Sequence, residues 1–218
     1  MIVRTRRVKP IGQRIELVPM DVHCGDITLG LYEQAGDAGT SFLVHTYSSR
    51  DGAGRRVRYV AEAMSILGGM DISRGSDTML RFPCGRAHRV ACRRIFLESA
   101  KLGSGSPLGA RPLRVFDKRK GRNIEVASLG SGQYVVRSAG NEGTHDRRAA
   151  VAVLGLVKLG DMEAVPGTSD RVRFDCDTSH DAAVGLLLTR ALEVRAALRE
   201  IESRAARGVL AAPSNQAL

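Results

Sequence analysis

Apolar residues recur along the chain with two different periods, one typical of helices and one typical of strands. Between Arg55 and Leu67 they follow the spacing i, i+3, i+4, i+7 and i+10, which places them on one helical face. These positions are Val57, Val60, Ala61, Met64 and Leu67. Gly68 and Gly69 follow and are expected to end the helix. The pattern therefore predicts an amphipathic helix that buries one face.

Shorter apolar runs between glycine and polar residues predict strands, and the elements occur in the same order twice. In the first half, strands are predicted at 14–22, 26–33, 42–47 and 78–83, with helices at 55–67 and 87–101. In the second half, strands are predicted at 113–116, 123–128, 133–138 and 171–175, with helices at 146–159 and 179–204. Because a helix separates the third and fourth strands of each half, we expect these two strands to pair in parallel through a right-handed crossover.

The two halves are also similar residue by residue. Phe42 to His88 aligns without a gap on Tyr134 to His180 at an offset of 92, and 14–34 aligns on 111–131 at an offset of 97. The sharpest shared element is Arg-Phe-x-Cys-x-x-x-His, which holds the cysteines and histidines discussed below. An ungapped repeat of this length indicates one duplicated unit packed about a pseudo-twofold axis.

The predicted fold class is accordingly α/β, an α+β sandwich of two tandem ββαβα repeats that form a pseudo-twofold dimer. We expect the first repeat, with an N-terminal extension, at 1–110 and the second at 111–204. Residues 205–218 contain Gly208, Pro213, Ser214 and Asn215 and are expected to form a flexible tail.

Composition adds a strong charge bias. The chain has 218 residues, is 43% hydrophobic and only 4% aromatic, and carries a formal net charge of +10. Such a basic protein usually binds a polyanion, although a high-GC genome, which favours Arg codons, would give the same bias. The shortage of aromatic residues argues against a platform that stacks bases.

The sequence also bears on the compartment of the protein. It contains no apolar run of about 18 residues, so we expect no membrane partner. Its N-terminus lacks the apolar stretch of a signal peptide. Four cysteines do not form a dense disulfide pattern, and a cytoplasmic location is the expectation.

The repeated Cys-x-x-x-His element contributes Cys84, His88, Cys176 and His180. Each cysteine is expected at a strand end and each histidine in the first turn of the next helix, where i, i+4 spacing lets both face one ion. Together the four could bind zinc as a tetrahedral site. A thiol near a helix N-terminus has a lowered pKa, so Cys84 or Cys176 could instead be catalytic with His88 or His180 as acid or base. The third interpretation is structural: a small buried cysteine and a locally packed histidine.

Two further groups of basic residues suggest contact with phosphate. Glycine-rich loops end in Arg55-Arg56 and in Arg147-Arg148, where backbone N–H groups at a helix start would add to the guanidinium groups. The second group is a predicted hairpin at 111–122 with six basic residues and one acid, in which Lys118, Arg119, Lys120 and Arg122 surround the turn. For both groups, a solvated basic surface is the alternative.

From Phe42 to Ser128 the order strand, helix, strand, helix, strand, strand resembles Alba-type nucleic-acid-binding domains. The likeness includes Gly85-Arg86-Ala87 before the second helix and the basic hairpin at Lys118–Arg122. The resemblance implies a βαβαββ fold, as in the C-terminal domain of translation initiation factor three, and binding of nucleic acid as a dimer. In this chain Arg55-Arg56 is displaced from the family's basic pair, and the Cys-x-x-x-His element is not part of the Alba pattern.

We therefore expect a nucleic-acid-binding protein that contacts DNA or RNA backbone with low sequence specificity and strong salt dependence. The alternative is an enzyme, or a binding protein for a phosphorylated small molecule, with a Cys/His and Arg-Arg site between the repeats. A third reading is a structural subunit that docks a partner through its last helix. The sequence leaves the enzyme question open but favours a non-enzymatic role. It predicts no cofactor, with zinc as the one possible metal, and it leaves oligomerisation open.

Overall fold

The protein has an α+β fold with four helices and two antiparallel sheets in its described residues. A computed structural model describes residues 3–4, 20–24, 26–36, 39–103, 106, 108–117, 122–138 and 147–206. The predicted mixture of helices and strands is confirmed. The predicted tail from 207 onward lies outside the described residues.

The first sheet is formed by β1 (Val3–Arg4), β2 (Met20–Cys24), β3 (Ile27–Gly36), β4 (Gly39–Thr46), β5 (Asp71–Ile72) and β6 (Met79–Arg81). Its strand order is β1-β2-β3-β4-β6-β5. Helices α1 (Ala53–Gly68) and α2 (Arg89–Lys101) belong to the same half. In β3 the alternate residues Leu29 and Leu31 are buried, and they direct one face of the sheet to the core.

The second sheet is formed by β7 (Arg114–Asp117), β8 (Arg122–Gly130), β9 (Gln133–Ser138), β10 (Glu163–Ala164) and β11 (Arg171–Arg173). Helix α3 (Arg147–Gly160) and helix α4 (Asp181–Ala206) belong to this half. The strand order β10-β11-β9-β8-β7 matches β5-β6-β4-β3-β2 of the first sheet when strands are compared by their order in each half. The pseudo-twofold relation between the halves stays a prediction.

The predicted parallel pairing is wrong, since β6 pairs with β4 and β11 pairs with β9 in antiparallel register. The reason is a two-residue strand after each first helix, β5 or β10. This strand forms an antiparallel pair with β6 or β11, so the chain reverses once more before β6 or β11 pairs with β4 or β9. Strands this short give almost no periodic signal in the sequence.

The segment that resembles Alba domains is divided between the sheets, because the hairpin β7–β8 pairs with β9 and belongs to the second sheet. The chain from Phe42 to Ser128 therefore does not form one sheet. The resemblance stays a prediction.

One hydrophobic core includes residues of both halves. The predicted face of α1 is confirmed, since Val57, Val60, Ala61, Met64 and Leu67 are all buried. Helices α3 and α4 approach closely at Gly155, where an added Cβ would lie 2.4 Å from that of Ala191. Leu186 and Leu187 of α4 are buried in this core, so they are not part of an exposed docking stripe. Among the described residues, no helix combines the length and apolar character needed to cross a membrane.

Candidate metal centre

Cys84 and His88 lie in the connection between β6 and α2. A turn closes after β6, where the Gly85 N–H donates to the Phe82 carbonyl at 2.9 Å and Gly85 has a φ of 72°. His88 is the residue before α2 and has the left-handed φ and ψ of 38° and 53°. This backbone brings Cys84 Sγ to 3.1 Å from His88 Nε2. The expectation that the two residues meet through the i, i+4 spacing of a helix is therefore wrong. Both precede α2, and a turn and the helix cap bring them together.

Cys176 and His180 occupy the corresponding connection between β11 and α4. Cys176 Sγ lies 3.2 Å from His180 Nε2, and the His180 carbonyl accepts the first helical hydrogen bond from Val184 N–H at 3.0 Å. The His180 N–H donates to the Tyr134 hydroxyl oxygen. That hydroxyl donates in turn to Asp181 Oδ1 at 3.1 Å. The backbone of His180 is thus held from both sides.

The two pairs converge, and all four ligand atoms of Cys84, His88, Cys176 and His180 lie within 4.8 Å of one another. Zinc bonds of about 2.3 Å to sulfur and 2.0–2.1 Å to nitrogen would separate the ligands of a tetrahedral ion by roughly 3.3–3.8 Å. The observed separations are 3.1 and 3.2 Å within the two Cys–His pairs and at most 4.8 Å across the four atoms, so they bracket this range. The cluster can therefore hold a metal ion, with one Cys and one His from each half.

Two phenylalanine rings pack against the histidines of the cluster. Phe82 lies 5.1 Å from the ring of His88 and 5.4 Å from that of His180, measured between centroids. Phe174 lies 4.8 Å from His88 and 5.1 Å from His180. Each phenylalanine thus contacts the histidine of its own half and that of the other half. This arrangement explains why Phe and His occur together in both copies of the element.

The outer nitrogens of the two histidines differ in their partners. His88 Nδ1 lies 3.3 Å from Asp175 Oδ1, and the other oxygen of that carboxylate accepts a hydrogen bond from Arg86 at 3.0 Å. A carboxylate on the far nitrogen of a histidine is a common outer contact of metal sites, because it orients the ring and fixes its tautomer. His180 Nδ1 is buried and has no hydrogen-bond partner among the described residues.

The protonation of these groups favours metal binding by neutral imidazoles. Burial lowers the pKa of His180 to about 4, helped by the nearby His88 and opposed by Asp175. Burial also lowers the pKa of His88, while Asp175 opposes the shift. Burial raises the pKa of the Cys176 thiol to about 11, and the adjacent Cys84 adds to this effect. A bound cation reverses the preference of a thiol, because it stabilises the thiolate.

The paired arginines of the first half do not lie beside this cluster. Arg56 Nη2 donates to the carbonyl of Ala100 at 2.8 Å, and its guanidinium lies 5.5 Å from the centroid of Tyr59. Ala100 is at the C-terminal end of α2, about 17 Å along the helix from its start beside His88. Arg55 is exposed. The predicted combination of Cys/His and Arg-Arg in one place is therefore not formed by this half.

The remaining predicted phosphate contacts are only partly described. Arg147 and Arg148 begin α3, but their side chains and the loop before them lie outside the described residues. The hairpin itself is present as β7 and β8. Lys118, Arg119 and Lys120 lie outside the described residues, as does the side chain of Arg122.

Two features of the site were not found from the sequence. Asp175 was missed because it has no counterpart in the first copy, where Pro83 stands at the equivalent position. The second feature is a cleft of about 570 Å³ beside His88. Three acids and two arginines line it: Asp161, Glu163, Asp175, Arg86 and Arg89. The cleft thus carries charges of both signs. Arg86 forms an ion pair with Asp175, and Arg89 forms one with Glu33.

Comparison of the chain with protein-family models, curated proteins and solved structures found no match.

Proposed function

We propose that this protein binds nucleic acid and that a structural zinc ion joins its two halves at Cys84, His88, Cys176 and His180. The convergence of these four ligand atoms within 4.8 Å is the observation that carries the zinc assignment. Two sulfur and two imidazole ligands in tetrahedral reach suit zinc better than hard cations such as magnesium, which prefer oxygen.

The ligand set favours a structural role for the ion. Four protein ligands fill a tetrahedron, whereas catalytic zinc keeps one position for water or substrate. The ligands come from the turns after β6 and β11, so the ion would fix the starts of α2 and α4 relative to each other. The burial of Cys176 and His180 also keeps water away from the ion.

The proposal that the partner is nucleic acid rests on charge. The net charge of +10 attracts a polyanion, and neutralising phosphates releases their counterions. In this proposal Lys118, Arg119, Lys120 and Arg122 contact the backbone from the hairpin turn, and Arg55, Arg147 and Arg148 add contacts at helix starts. Arg56 contributes less, because it already binds the carbonyl of Ala100.

The zinc assignment is tested by measuring metal content in protein purified without a metal-affinity tag. We expect one zinc ion per chain in the wild type and its loss in Cys176→Ser. The matched control is Cys24→Ser, because the Cys24 thiol donates to the Ala100 carbonyl at 3.2 Å and serine can keep that hydrogen bond. Zinc bound equally by Cys176→Ser and the wild type would refute the assignment, as would a wild type that takes up no zinc on reconstitution.

Nucleic-acid binding is tested by fluorescence anisotropy with labelled duplex DNA and single-stranded RNA, on protein freed of bound nucleic acid. We expect micromolar or tighter affinity at about 50 mM salt and a steep fall by about 200 mM. Arg119→Ala/Lys120→Ala/Arg122→Ala should weaken binding about equally for different sequences and flatten the salt dependence. A wild type that does not bind at low salt would make the net charge a compositional bias.

The alternative, an enzyme or binding protein for a phosphorylated small molecule, has less support. The high pKa of the Cys176 thiol disfavours a nucleophilic thiolate in the metal-free protein. Among the described residues that line the cleft beside His88, both arginines, Arg86 and Arg89, already form ion pairs with carboxylates. A phosphate would therefore have to displace an ion pair in order to bind there.

A further inference from the structure

The outer face of the second sheet carries four arginines. Strand pairing opposes Arg114 to Glu125 and Glu125 to Arg137 across β7, β8 and β9. It also opposes Arg171 to Val135 and Arg173 to Gln133 across β11 and β9. Because side chains alternate between faces, all of these residues lie on the face opposite Tyr134 and Val136, which belong to the core.

The arginines on this face differ in their ion pairs. Arg173 binds Glu163 at 2.8 Å and Arg114 lies 3.8 Å from Glu125. Among the described residues, Arg137 and Arg171 have no carboxylate within 4.0 Å, although both are exposed. Val135 lies between them in the sheet and is only 2% exposed, yet it is not part of the core. The aliphatic stems of neighbouring long side chains can cover such a residue while their charged ends stay in water.

The corresponding face of the first sheet is not basic. At the offset of 92, His45 stands where the second half has Arg137, and Met79 stands where it has Arg171. Only Arg81, the counterpart of Arg173, is shared. The two arginines without a carboxylate partner, Arg137 and Arg171, are therefore particular to the second sheet.

We propose that this arginine face, defined by Arg114, Arg137, Arg171 and Arg173, binds the sugar–phosphate backbone of nucleic acid. Arg114 and Arg137 are two strand spacings apart, roughly 9–10 Å, and Arg171 is one spacing from β9 on the other side. Guanidinium groups spread over a sheet in this way can contact several phosphates at once.

The inference deepens the proposed function and rests on it. Its test compares two double variants that remove the same charge. One is Arg137→Gln/Arg171→Gln, and the control is Arg74→Gln/Arg81→Gln, with Arg81 in β6 and Arg74 in the turn between β5 and β6. Anisotropy is measured with the same labelled duplex DNA and single-stranded RNA. We expect the first variant to bind at least tenfold more weakly at low salt and the control to stay within about threefold of the wild type. The slope of log affinity against log salt should fall by about 1.8 for the duplex and about 1.4 for the single strand, two phosphate contacts in each case.

A second variant is expected to raise the affinity for nucleic acid instead of lowering it. Glu125 lies between Arg114 and Arg137, so Glu125→Gln removes the carboxylate that competes with phosphate. We expect tighter binding by a few fold, which misfolding cannot produce. Weaker or unchanged binding by Glu125→Gln, or equal loss in the two double variants, would overturn the arginine face while leaving nucleic-acid binding itself in place. A wild type that binds neither probe at low salt would overturn the proposed function, and this inference with it.

Discussion

The ion pair between Glu33 and Arg89 offers a sharp test of what fixes the start of α2. Glu33 projects from β3 toward the core, and its carboxylate accepts two hydrogen bonds of 2.7 Å from the Arg89 guanidinium. Arg89 is the first residue of α2 and directly follows His88. The pair therefore holds the helix start that positions one histidine of the metal centre.

The two partners differ in exposure, and this predicts unequal costs of removing them. The Glu33 side chain is 6% exposed and that of Arg89 is 54% exposed. Arg89→Met leaves a buried carboxylate without its partner, which costs about 3–5 kcal/mol in a fully buried pair. Because water reaches Arg89, we expect a smaller loss of unfolding free energy, about 2–3 kcal/mol. Glu33→Gln lets the guanidinium rehydrate and keeps an acceptor, so its cost should be below about 1 kcal/mol.

Urea unfolding followed by circular dichroism measures this, on the two single variants and the double variant. In thermal unfolding, Arg89→Met should also lower Tm by about 4–12 °C, at about 2–4 °C per kcal/mol for a chain of this size. The double variant should be more stable than Arg89→Met alone, because the buried charge is gone. If Glu33→Gln cost as much as Arg89→Met, or if the two costs simply added, the argument from unequal burial would be refuted.

Two further predictions concern the metal and the packing of the helices. Chelation of zinc should lower Tm by about 8–16 °C. This corresponds to about 4.1 kcal/mol of stabilisation by an ion present at a thousand times its Kd. An unchanged melting curve in protein that held zinc would contradict a structural ion. In α4, Gly185→Ala should destabilise the protein by about 1–3 kcal/mol in urea unfolding, because its Cβ would lie 2.2 Å from the backbone oxygen of Arg111. The matched control, Gly54→Ala in α1, has no atom within 4 Å of the added Cβ and should stabilise by about 0.5–1 kcal/mol; equal effects at the two positions would contradict the packing argument.

The sequence was most informative where periodicity was long. The helix predicted at 55–67 is α1, Ala53–Gly68, and all five predicted face residues are buried. The strand predicted at 133–138 matches β9 at both ends. These elements have enough residues for a face to be read from the pattern. β5 and β10 have two residues each, and missing them led to the wrong strand direction.

The metal centre was partly predictable for a different reason. Repetition of Cys-x-x-x-His marked the four residues, but local spacing suggested a helical pair, and the structure instead uses a turn and a left-handed His88. That conformation is unusual for a residue with a side chain, so no propensity rule would place it there. Asp175 is not repeated, and only the folded chain brings it to His88.

The arginine face was not predicted because its residues are far apart in sequence. Arg114 and Arg137 become neighbours of one carboxylate only through the pairing of three strands, and the predicted parallel arrangement would have placed Arg171 differently. Consecutive basic residues in the sequence mark the hairpin turn but cannot mark a face that is assembled from separate strands.

The positions at which the halves agree and differ suggest how the metal centre and the arginine face are connected. Phe, Cys and His are retained in both halves, and in the folded chain they meet each other across the boundary between the halves. On the outer faces of the sheets the halves differ at several positions, as His45 and Arg137 show. Arg173 ends β11 only three residues before Cys176. A metal ion bound there would anchor the end of the strand that carries Arg171 and Arg173, so the shared centre would hold in place a binding face that only one half possesses.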